Sequence, residues 1–287
     1  MMSSLQELFA PLGETEFRDF LRTRTLSLQR GTDKARFDGL LDWPALLDLV
    51  ASGALAPDSL RVTLKERTVA PAFYAKDGKV DAANLAKLLD SGASLIASRL
   101  DLQVPALGVL CADIARRIAE EVYAGAIATT GTGGAFALHY DPQDLLILQV
   151  AGSKRWRIHG PPVDFPVGGM PEQSPPAGAP LFDETLAPGD LLFLPAGYWH
   201  HCENGPGRSL HIGIFIEPPK GCHAVKALLP RLLAEEIFRV PLTRFANDAE
   251  RAAHEAAMKA RLVEMIDAMS PADLPRETGM DGPRTES

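Results

Sequence analysis

The chain has 287 residues, of which 46% are hydrophobic and 23% charged, and its formal net charge is −8 with a pI near 5.4. This composition provides ample material for a globular core. The acidic balance argues against a surface that neutralises phosphates, so nucleic acid is not an expected partner. An acidic surface would instead attract a basic protein.

The cysteines and the start of the chain predict a cytoplasmic protein. Three cysteines are scattered without C-x-x-C spacing, which indicates neither a zinc knuckle nor a disulfide framework and suits a reducing compartment. The opening MMSSLQELFAPLGETEF has no basic start followed by an apolar run, so no signal peptide is expected. No window approaches the roughly 18 apolar residues of a membrane span, and a membrane is not an expected partner either.

Residues 1–124 are expected to supply helices and strands that support a barrel. A proline in the first turn predicts a helix over residues 43–50, and alternating apolar and polar residues predict a strand over 60–64. Similar signals predict a strand and hairpin at 72–80 with its turn at Asp77-Gly78, a helix over 82–89, a strand over 94–97 and an amphipathic helix whose apolar residues run from Leu107 to Val122.

Residues 125–218 are expected to form the barrel itself. Short β-rich runs separated by Gly and Pro lie at 126–130, 144–150, 155–158, 191–194 and 210–216. Many short strands at close spacing are typical of an antiparallel barrel or jelly roll. The Pro- and Gly-rich span 161–189 interrupts them, and a loop of that length is usually functional or disordered.

The C-terminal region, residues 219–287, has a different character. Helical patterns cover 224–238 and 248–269, and a polar, frayed tail is expected from about residue 270. An Ala-rich helix with one apolar face must bury that face against its neighbouring helix or against a symmetry mate, and we expect the chain to form a homodimer through these helices.

Two short runs offer two imidazoles and one carboxylate. At strand spacing His139 and Asp141 share one face while Tyr140 points away. The turn at 195–197 then delivers His200, with His201 as a competitor that would point to the opposite face. A lone H-x-D pair is common, but the combined set is the one that holds iron(II) on one face and leaves the other face open.

The order of motifs resembles the JmjC-type, cupin-fold 2-oxoglutarate oxygenases, in particular the ribosomal oxygenases that hydroxylate protein side chains. The matching words are G-x-x-x-x-x-H-Y-D-x-x-D at 133–144, QVAGSKRW at 149–156 and P-G-D-L-L-x-x-P-x-G-x-x-H at 188–200. The resemblance implies a mainly β protein with a double-stranded β-helix, flanking helices and a helical C-terminal extension.

The resemblance also implies a site and a reaction. His139, Asp141 and His200 would bind Fe(II), and Lys154 would hold the distal carboxylate of 2-oxoglutarate. O2 would be the second co-substrate, and hydroxylation of a protein or peptide side chain would release succinate and CO2. Alternatives are demethylation, an oxygenase acting on a small molecule or natural-product peptide, and a cupin metal-binding protein that uses no 2-oxoglutarate.

Several assignments stay open at this level. Alternation places Lys154 and Trp156 on one face and Arg155 and Arg157 on the other, so one of the two pairs must face inward. Phe136 stands where related enzymes often carry a hydroxyl residue that contacts the co-substrate. Thr129, Thr130 or Tyr140 are candidates to replace that hydroxyl, and His211 is expected to be a hydrogen-bonded core histidine.

Overall fold

The computed structural model describes residues 14–171 and 173–269, which divide into two compact units. The first unit extends to Glu217 and contains all the strands of the described part. The second begins at Pro218 and is helical. Among the described helices, none is both long enough and apolar enough to cross a membrane.

Helices and strands alternate through the first half, and strands dominate the second. In chain order the elements are α1 Glu14–Thr23, β1 Ser27–Gln29, α2 Trp43–Ala51, β2 Leu60–Leu64, β3 Arg67–Val69, β4 Ala75–Lys76, β5 Lys79–Val80, α3 Ala82–Asp90, β6 Ser94–Ala97, α4 Pro105–Ile118, β7 Glu121–Thr129, β8 Asp144–Ala151, β9 Lys154–His159, β10 Phe182–Leu186, β11 Leu191–Leu194, β12 Trp199–Asn204, β13 Ser209–Glu217, α5 Gly221–Ala234 and α6 Asp248–Asp267.

The strands form two principal antiparallel sheets. The larger has the order β1-β11-β8-β13-β7-β6-β2-β3, and the smaller has the order β10-β9-β12. A backbone bridge between His139 and His200 adds the loop after β7 to the smaller sheet. Mainly β architecture with a double-stranded β-helix and flanking helices is therefore confirmed.

The large sheet is apolar on both faces. In β8, Leu146 and Leu148 belong to a core shared with the helices, whereas Leu145 and Ile147 belong to a second core with residues of the smaller sheet. Because side chains alternate along a strand, a strand buried on both sides is a continuous apolar run rather than an alternating one. The run DLLILQV in β8 has this pattern.

Most predicted elements are confirmed, but three boundaries were wrong. Residues 71–73 form a 3-10 helix that begins at Pro71, and the hairpin around Asp77-Gly78 uses only the short strands β4 and β5. Val122 lies in β7, because helix α4 ends at Ile118 and the following residue, Ala119, adopts a left-handed conformation. The span 161–189 is not structureless throughout, since it contains β10.

The second unit is a pair of helices joined by a short 3-10 turn, as expected from the helical patterns. Helix α6 begins at Asn247, whose side chain accepts a hydrogen bond from the backbone N–H of Glu250. Arg261 on α6 donates two hydrogen bonds to Glu235 at 2.7 and 2.8 Å. This paired contact fixes the end of α5 against α6.

The buried carboxylate of Asp190 connects the N-terminal segment to the barrel. Its oxygens accept hydrogen bonds from Arg30 Nη1 and the backbone N–H of Gly31, both at 2.8 Å, and from the backbone N–H of Ala187 at 3.0 Å. Asp190 is only 3% exposed, so its charge depends on these donors rather than on water.

Replacing this carboxylate should destabilise the fold. We expect Asp190→Ala to lower the free energy of unfolding by about 3 kcal/mol in urea denaturation, because it leaves buried donors without an acceptor. The control is Asp183→Ala, which removes a carboxylate that pairs with Arg155 at the surface. Equal unfolding midpoints for the two variants would contradict the role assigned to Asp190.

Candidate metal centre and adjoining cavity

The structure brings His139, Asp141 and His200 together at one end of the smaller sheet. Asp141 Oδ1 lies 3.9 Å from His139 Nε2, and Asp141 Oδ2 lies 3.5 Å from His200 Nε2. One ligand atom from each residue falls within 4.8 Å of the others. Ligand atoms at such separations can share one ion, since metal–nitrogen and metal–oxygen bonds are about 2.1 Å long.

Backbone contacts orient both imidazoles toward the same point. His139 Nδ1 hydrogen bonds to the carbonyl of Ala137 at 2.8 Å, and His200 Nδ1 to the carbonyl of Tyr198 at 3.0 Å. A carbonyl can only accept, so each Nδ1 carries the proton and each Nε2 presents its lone pair. The amide of Gly197 also donates to the carbonyl of Asp141 at 2.9 Å, which fixes the loop that carries the carboxylate.

Burial keeps the second imidazole in the form that binds metals. The pKa of His200 falls to about 4, mainly because burial disfavours the charged ring and secondarily because His139 lies beside it. His200 is therefore neutral near pH 7, as a ligand must be. His201 faces the other way and pairs with Glu66 at 2.9 Å.

The side chain of Tyr140 also points away from the candidate metal position. Its ring packs edge-on against Trp199, with 5.0 Å between centroids. The two aromatic side chains therefore lie on the opposite face from the two imidazoles.

A cavity of about 240 Å³ adjoins the three side chains. Both sheets contribute to it, the larger one also through strand β2, and its polar or aromatic lining includes Arg61, Arg99, Tyr123, Phe136, Trp156 and His211. Gly125 and Gly213 lie opposite each other on β7 and β13 and leave room in its floor. The cavity is large enough for a small ligand beside the candidate metal position.

Lys154 lies inside the barrel. Its side chain is 1% exposed, whereas Arg155 points outward and makes two hydrogen bonds with Asp183. Lys154 Nζ donates to Thr129 Oγ1 at 3.2 Å, and no carboxylate pairs with it among the side chains that the structure describes. Burial lowers the pKa of Lys154, because a charge in an apolar interior is costly without a partner.

Several polar atoms near Lys154, in the interior of the barrel, have no hydrogen-bond partner within the described residues. These are Gln149 Oε1, His211 Nδ1 and Asn204 Oδ1. Gln149 pairs with His211 across β8 and β13, and Asn204 pairs with Lys154 across β12 and β9. Buried polar atoms are rarely left unsatisfied, so this end of the barrel is built to receive a polar group.

The structure separates the three hydroxyl candidates. Thr129 contacts Lys154, whereas Thr130 donates to the backbone carbonyls of Leu89 and Ala93, and Tyr140 faces away. His211 is buried as expected, but its Nδ1 has no partner in the described region, so the expectation of a hydrogen-bonded core histidine was wrong. The alternation of side chains along a strand could have placed both residues inside the barrel. Thr129 faces the same way as Gly125 on β7, and His211 faces the same way as Gly213 on β13, because each pair is an even number of residues apart.

The fold and the site together define a cupin-type double-stranded β-helix with two histidines and one carboxylate at the mouth of its barrel. Residues 110–223 match the family model of the JmjC domain. Over these residues, about two fifths of its length, the chain is therefore similar to JmjC domains.

Relatives of known sequence match the chain over part of their own length. The chain is 30% identical over 159 residues to the bifunctional lysine-specific demethylase and histidyl-hydroxylase NO66 of Drosophila persimilis, a match covering 51% of this chain and 23% of that protein. It is 40% identical over 78 residues to ribosomal oxygenase 2 of Rattus norvegicus, covering 26% and 17% respectively. The chain thus spans about a fifth of the length of these relatives.

A solved structure shares the fold. The ribosomal oxygenase YcfD of Escherichia coli superposes with a TM-score of 0.57 at 16% identity, covering 90% of this chain and 68% of that one. Another structure of YcfD contains cobalt and 2-oxoglutarate and superposes with a TM-score of 0.51 at 15% identity, over 90% and 68% of the two chains. At this identity the likeness shows the fold alone.

The buried ammonium of Lys154 should destabilise the ligand-free protein. We expect Lys154→Met to raise the free energy of unfolding by about 1 to 3 kcal/mol near neutral pH, because the variant removes a buried polar group without a carboxylate partner. Lys79→Met, at an exposed lysine, is the control and should change little. Urea unfolding without added ligand measures both.

The increase in the free energy of unfolding caused by Lys154→Met should also depend on pH. Between the lowered folded pKa of Lys154 and its unfolded value of 10.5, the unfolded chain binds a proton that the folded chain does not. Raising the pH through that range therefore stabilises the wild-type protein, and the advantage of Lys154→Met should shrink toward pH 10. A difference between the two proteins that is constant with pH would contradict this assignment.

Proposed function

We propose that this chain is a Fe(II)- and 2-oxoglutarate-dependent oxygenase that hydroxylates a protein or peptide side chain and forms succinate and CO2. One observation carries the proposal: three convergent metal-ligand side chains open onto a cavity whose barrel contains a buried lysine without a carboxylate partner among the described side chains. The relatives named above are a bifunctional lysine-specific demethylase and histidyl-hydroxylase and a ribosomal oxygenase, which supports a protein substrate.

The donor set fits iron(II). Two imidazoles and one carboxylate occupy one face of an ion and leave the opposite face for exchangeable ligands. His139, Asp141 and His200 would hold the ion, with His200 already neutral near pH 7. When bound, the iron and 2-oxoglutarate supply the oxidising power that places one oxygen atom from O2 in a C–H bond.

The buried polar end of the barrel fits the distal carboxylate of 2-oxoglutarate. Lys154 would supply the charge, Thr129 the hydroxyl beside it, and His211 a ring nitrogen that has no other partner in the described region. Lys154 pairs with Asn204, four residues beyond His200 on the same edge, which corresponds to about 13 Å along the strand. The side chains of Lys154 and His200 both extend into the barrel, and the space between them accommodates a five-carbon diacid.

The apolar walls of the cavity would exclude water from the bound co-substrate. Leu145, Ile147 and Phe215 line it from the large sheet, and Trp156 lines it from the smaller one. The low polarity of these walls strengthens the pairing of Lys154 with a carboxylate relative to the same pairing in water.

A metal-binding cupin that uses no 2-oxoglutarate is the main alternative. Such a protein would need His139, Asp141 and His200 but would have no use for Lys154. The burial of this lysine together with unsatisfied polar atoms nearby favours the 2-oxoglutarate enzyme. Action on a small molecule or natural-product peptide would require the same residues, so it is separated from protein hydroxylation by the substrate test alone.

Release of labelled CO2 tests the oxygenase directly. We expect anaerobic protein loaded with Fe(II) and 2-oxoglutarate labelled at the leaving carboxylate to release label after air is admitted, even without a substrate. His139→Ala should lose at least about a hundredfold of this rate, because it removes a metal ligand. His201→Ala, beside the site but facing Glu66, should keep most of the rate.

Binding measurements separate the two halves of the proposed site. Lys154→Met should still bind Mn(II) but should lose 2-oxoglutarate affinity in calorimetry, whereas Asp141→Ala should lose the metal. Oxygenase function would be refuted if wild type and His139→Ala released label equally slowly and neither bound 2-oxoglutarate. The substrate is found by intact-mass analysis of cellular proteins with and without the gene, as the mass gain of one oxygen atom.

The homodimer, the cytoplasmic location and a basic substrate protein are parts of the same proposal. A net charge of −8 supports attraction of a basic protein, and free Cys111, Cys202 and Cys222 fit a reducing compartment. The dimer is supported by an apolar stripe on α5 formed by Val225, Leu229 and Leu233, which are 57 to 68% exposed. An exposed apolar stripe of this kind is typical of a protein interface.

Disrupting the stripe should separate the subunits. We expect wild-type protein to have a mass near twice 30.9 kDa in light scattering, and Leu229→Glu to have the mass of one chain, because a charge in the centre of an apolar interface is costly. Leu102→Glu, at an equally exposed leucine in the first unit, should leave the dimer intact. A monomeric wild-type protein would exclude the dimer.

A further inference from the structure

One guanidinium at the cavity has no anionic partner. Arg61 lies on β2 and is half-buried, and its side chain lines the cavity beside the candidate metal centre. No carboxylate lies within ion-pair distance of it among the side chains that the structure describes. Arg99 also lines the cavity, but it pairs with Asp101 at 3.1 Å and Glu121 at 3.4 Å.

The sheet register places Arg61 in line with the interior of the barrel. Arg61 pairs with Ile96, Ile96 with Ile127, and Ile127 with His211 on successive strands. Directly paired residues point to the same face of a sheet, so these four side chains share the concave face. Three strand spacings of about 4.8 Å separate Arg61 from His211. The guanidinium therefore lies at the outer end of an apolar surface formed by Ile96 and Ile127.

An aromatic ring fixes the guanidinium near the metal ligands. Arg61 Cζ lies 5.7 Å from the centre of the Phe136 ring, and that ring lies 5.4 Å from the His139 ring. A cation over an aromatic face keeps its in-plane donors free to form a bidentate contact with an anion. Phe136 stands where related enzymes often carry a hydroxyl residue that contacts the co-substrate. In this chain its ring lies between the Arg61 guanidinium and the His139 ring.

We propose that Arg61 selects substrates by binding a carboxylate of the substrate peptide a few positions from the residue that is modified. The proposal rests on the oxygenase function above and names a feature of its substrate. An extended chain advances about 3.4 Å per residue, so the ring distances of 5.7 and 5.4 Å place the recognised carboxylate about three positions from the modified residue. The source is either an acidic side chain or the end of the peptide chain.

Local recognition of a carboxylate is compatible with a basic substrate protein. Net charge acts over roughly a Debye length and changes mainly the rate of encounter. A guanidinium fork in a cavity acts at contact and selects a planar anion. Asp58 also lines the cavity, but its side chain is exposed and forms no ion pair with Arg61.

Peptide pools test the proposal without knowledge of the natural substrate. The probes are fluorescent nonapeptide pools, random except for one position fixed as Glu, Gln or Lys, each made with free and amidated C-termini. Full-length protein loaded with Mn(II) and 2-oxoglutarate is titrated with each pool under nitrogen, and fluorescence anisotropy reports binding. We expect wild type to bind the best Glu pool about tenfold more tightly than its matched Gln pool, or the free-terminus pools more tightly than the amidated ones.

Variants of Arg61 assign the preference to this side chain. Arg61→Gln should lose the tenfold preference while binding Gln pools as wild type does, Arg61→Lys should keep part of it, and Arg61→Glu should shift it toward Lys pools. Arg208→Gln is the matched control, because Arg208 stacks on Trp43 at 5.3 Å but is exposed and lies outside the cavity lining. Thermal unfolding confirms that each variant is folded.

The outcomes are distinct from those of the oxygenase test. The proposal is overturned if wild type does not distinguish carboxylate from amide pools, or if Arg61→Gln retains the distinction. A carboxylate preference that depends on Arg61 would support the recognition role even if no CO2 were released, in which case the oxygenase function alone would fail. Dependence on the free terminus in every pool would identify the chain end as the source.

Discussion

The site depends on a pair of backbone hydrogen bonds between His139 and His200. The amide of His139 donates to the carbonyl of His200 at 3.1 Å, and the amide of His200 donates back at 2.7 Å. This bridge joins a loop to the edge of the smaller sheet, and it brings residues sixty positions apart close enough to share an ion. The amide of Gly197, which donates to the carbonyl of Asp141, holds the same loop from the other side of the carboxylate-bearing residue.

Two opposite demands meet inside the barrel. Folding favours an interior that is apolar throughout, and the core formed by Leu145, Ile147 and Trp156 satisfies this demand. Binding the proposed diacid would require a cation in the same interior, and Lys154 is buried there with the hydroxyl of Thr129 as its hydrogen-bond partner among the described residues. A buried charge that lacks a counterion destabilises the ligand-free protein. Pairing with a bound carboxylate would remove this penalty and so would contribute to the affinity for that ligand. Stability and binding are therefore coupled through one ammonium group.

The sequence could predict the barrel and the convergent residues, because both depend on local patterns. Short β-rich runs indicate the sheets, and the H-x-D pair and the later histidine follow from motif order. Alternation showed that Lys154 and Arg155 face opposite ways but could not say which faces inward, since that depends on the strands packed against β9. Strand β10 was missed because its run FDETL is mostly exposed and polar and lies in a Pro-rich span.

Arg61 could not be assigned from sequence for a related reason. Its strand lies about seventy-five residues before Phe136, and their contact exists only because β2 extends the large sheet through β6 beside β7. Local patterns identify a strand and the alternation of its side chains, but long-range register decides which side chains of different strands meet. The recognition of a substrate is accordingly harder to predict than the ligands of a metal.

The cavity itself results from the choice of residues rather than from the barrel fold. Gly125 and Gly213 are paired across β7 and β13, and a methyl group added at Gly213 would lie 3.1 Å from the ring of Phe215. That ring stacks on Tyr123 with centroids 4.9 Å apart, so it cannot move without losing its own packing. Glycine in the interior of a strand weakens a sheet. Its presence at two paired positions shows that the sheet gives up local stability for space beside the candidate metal centre.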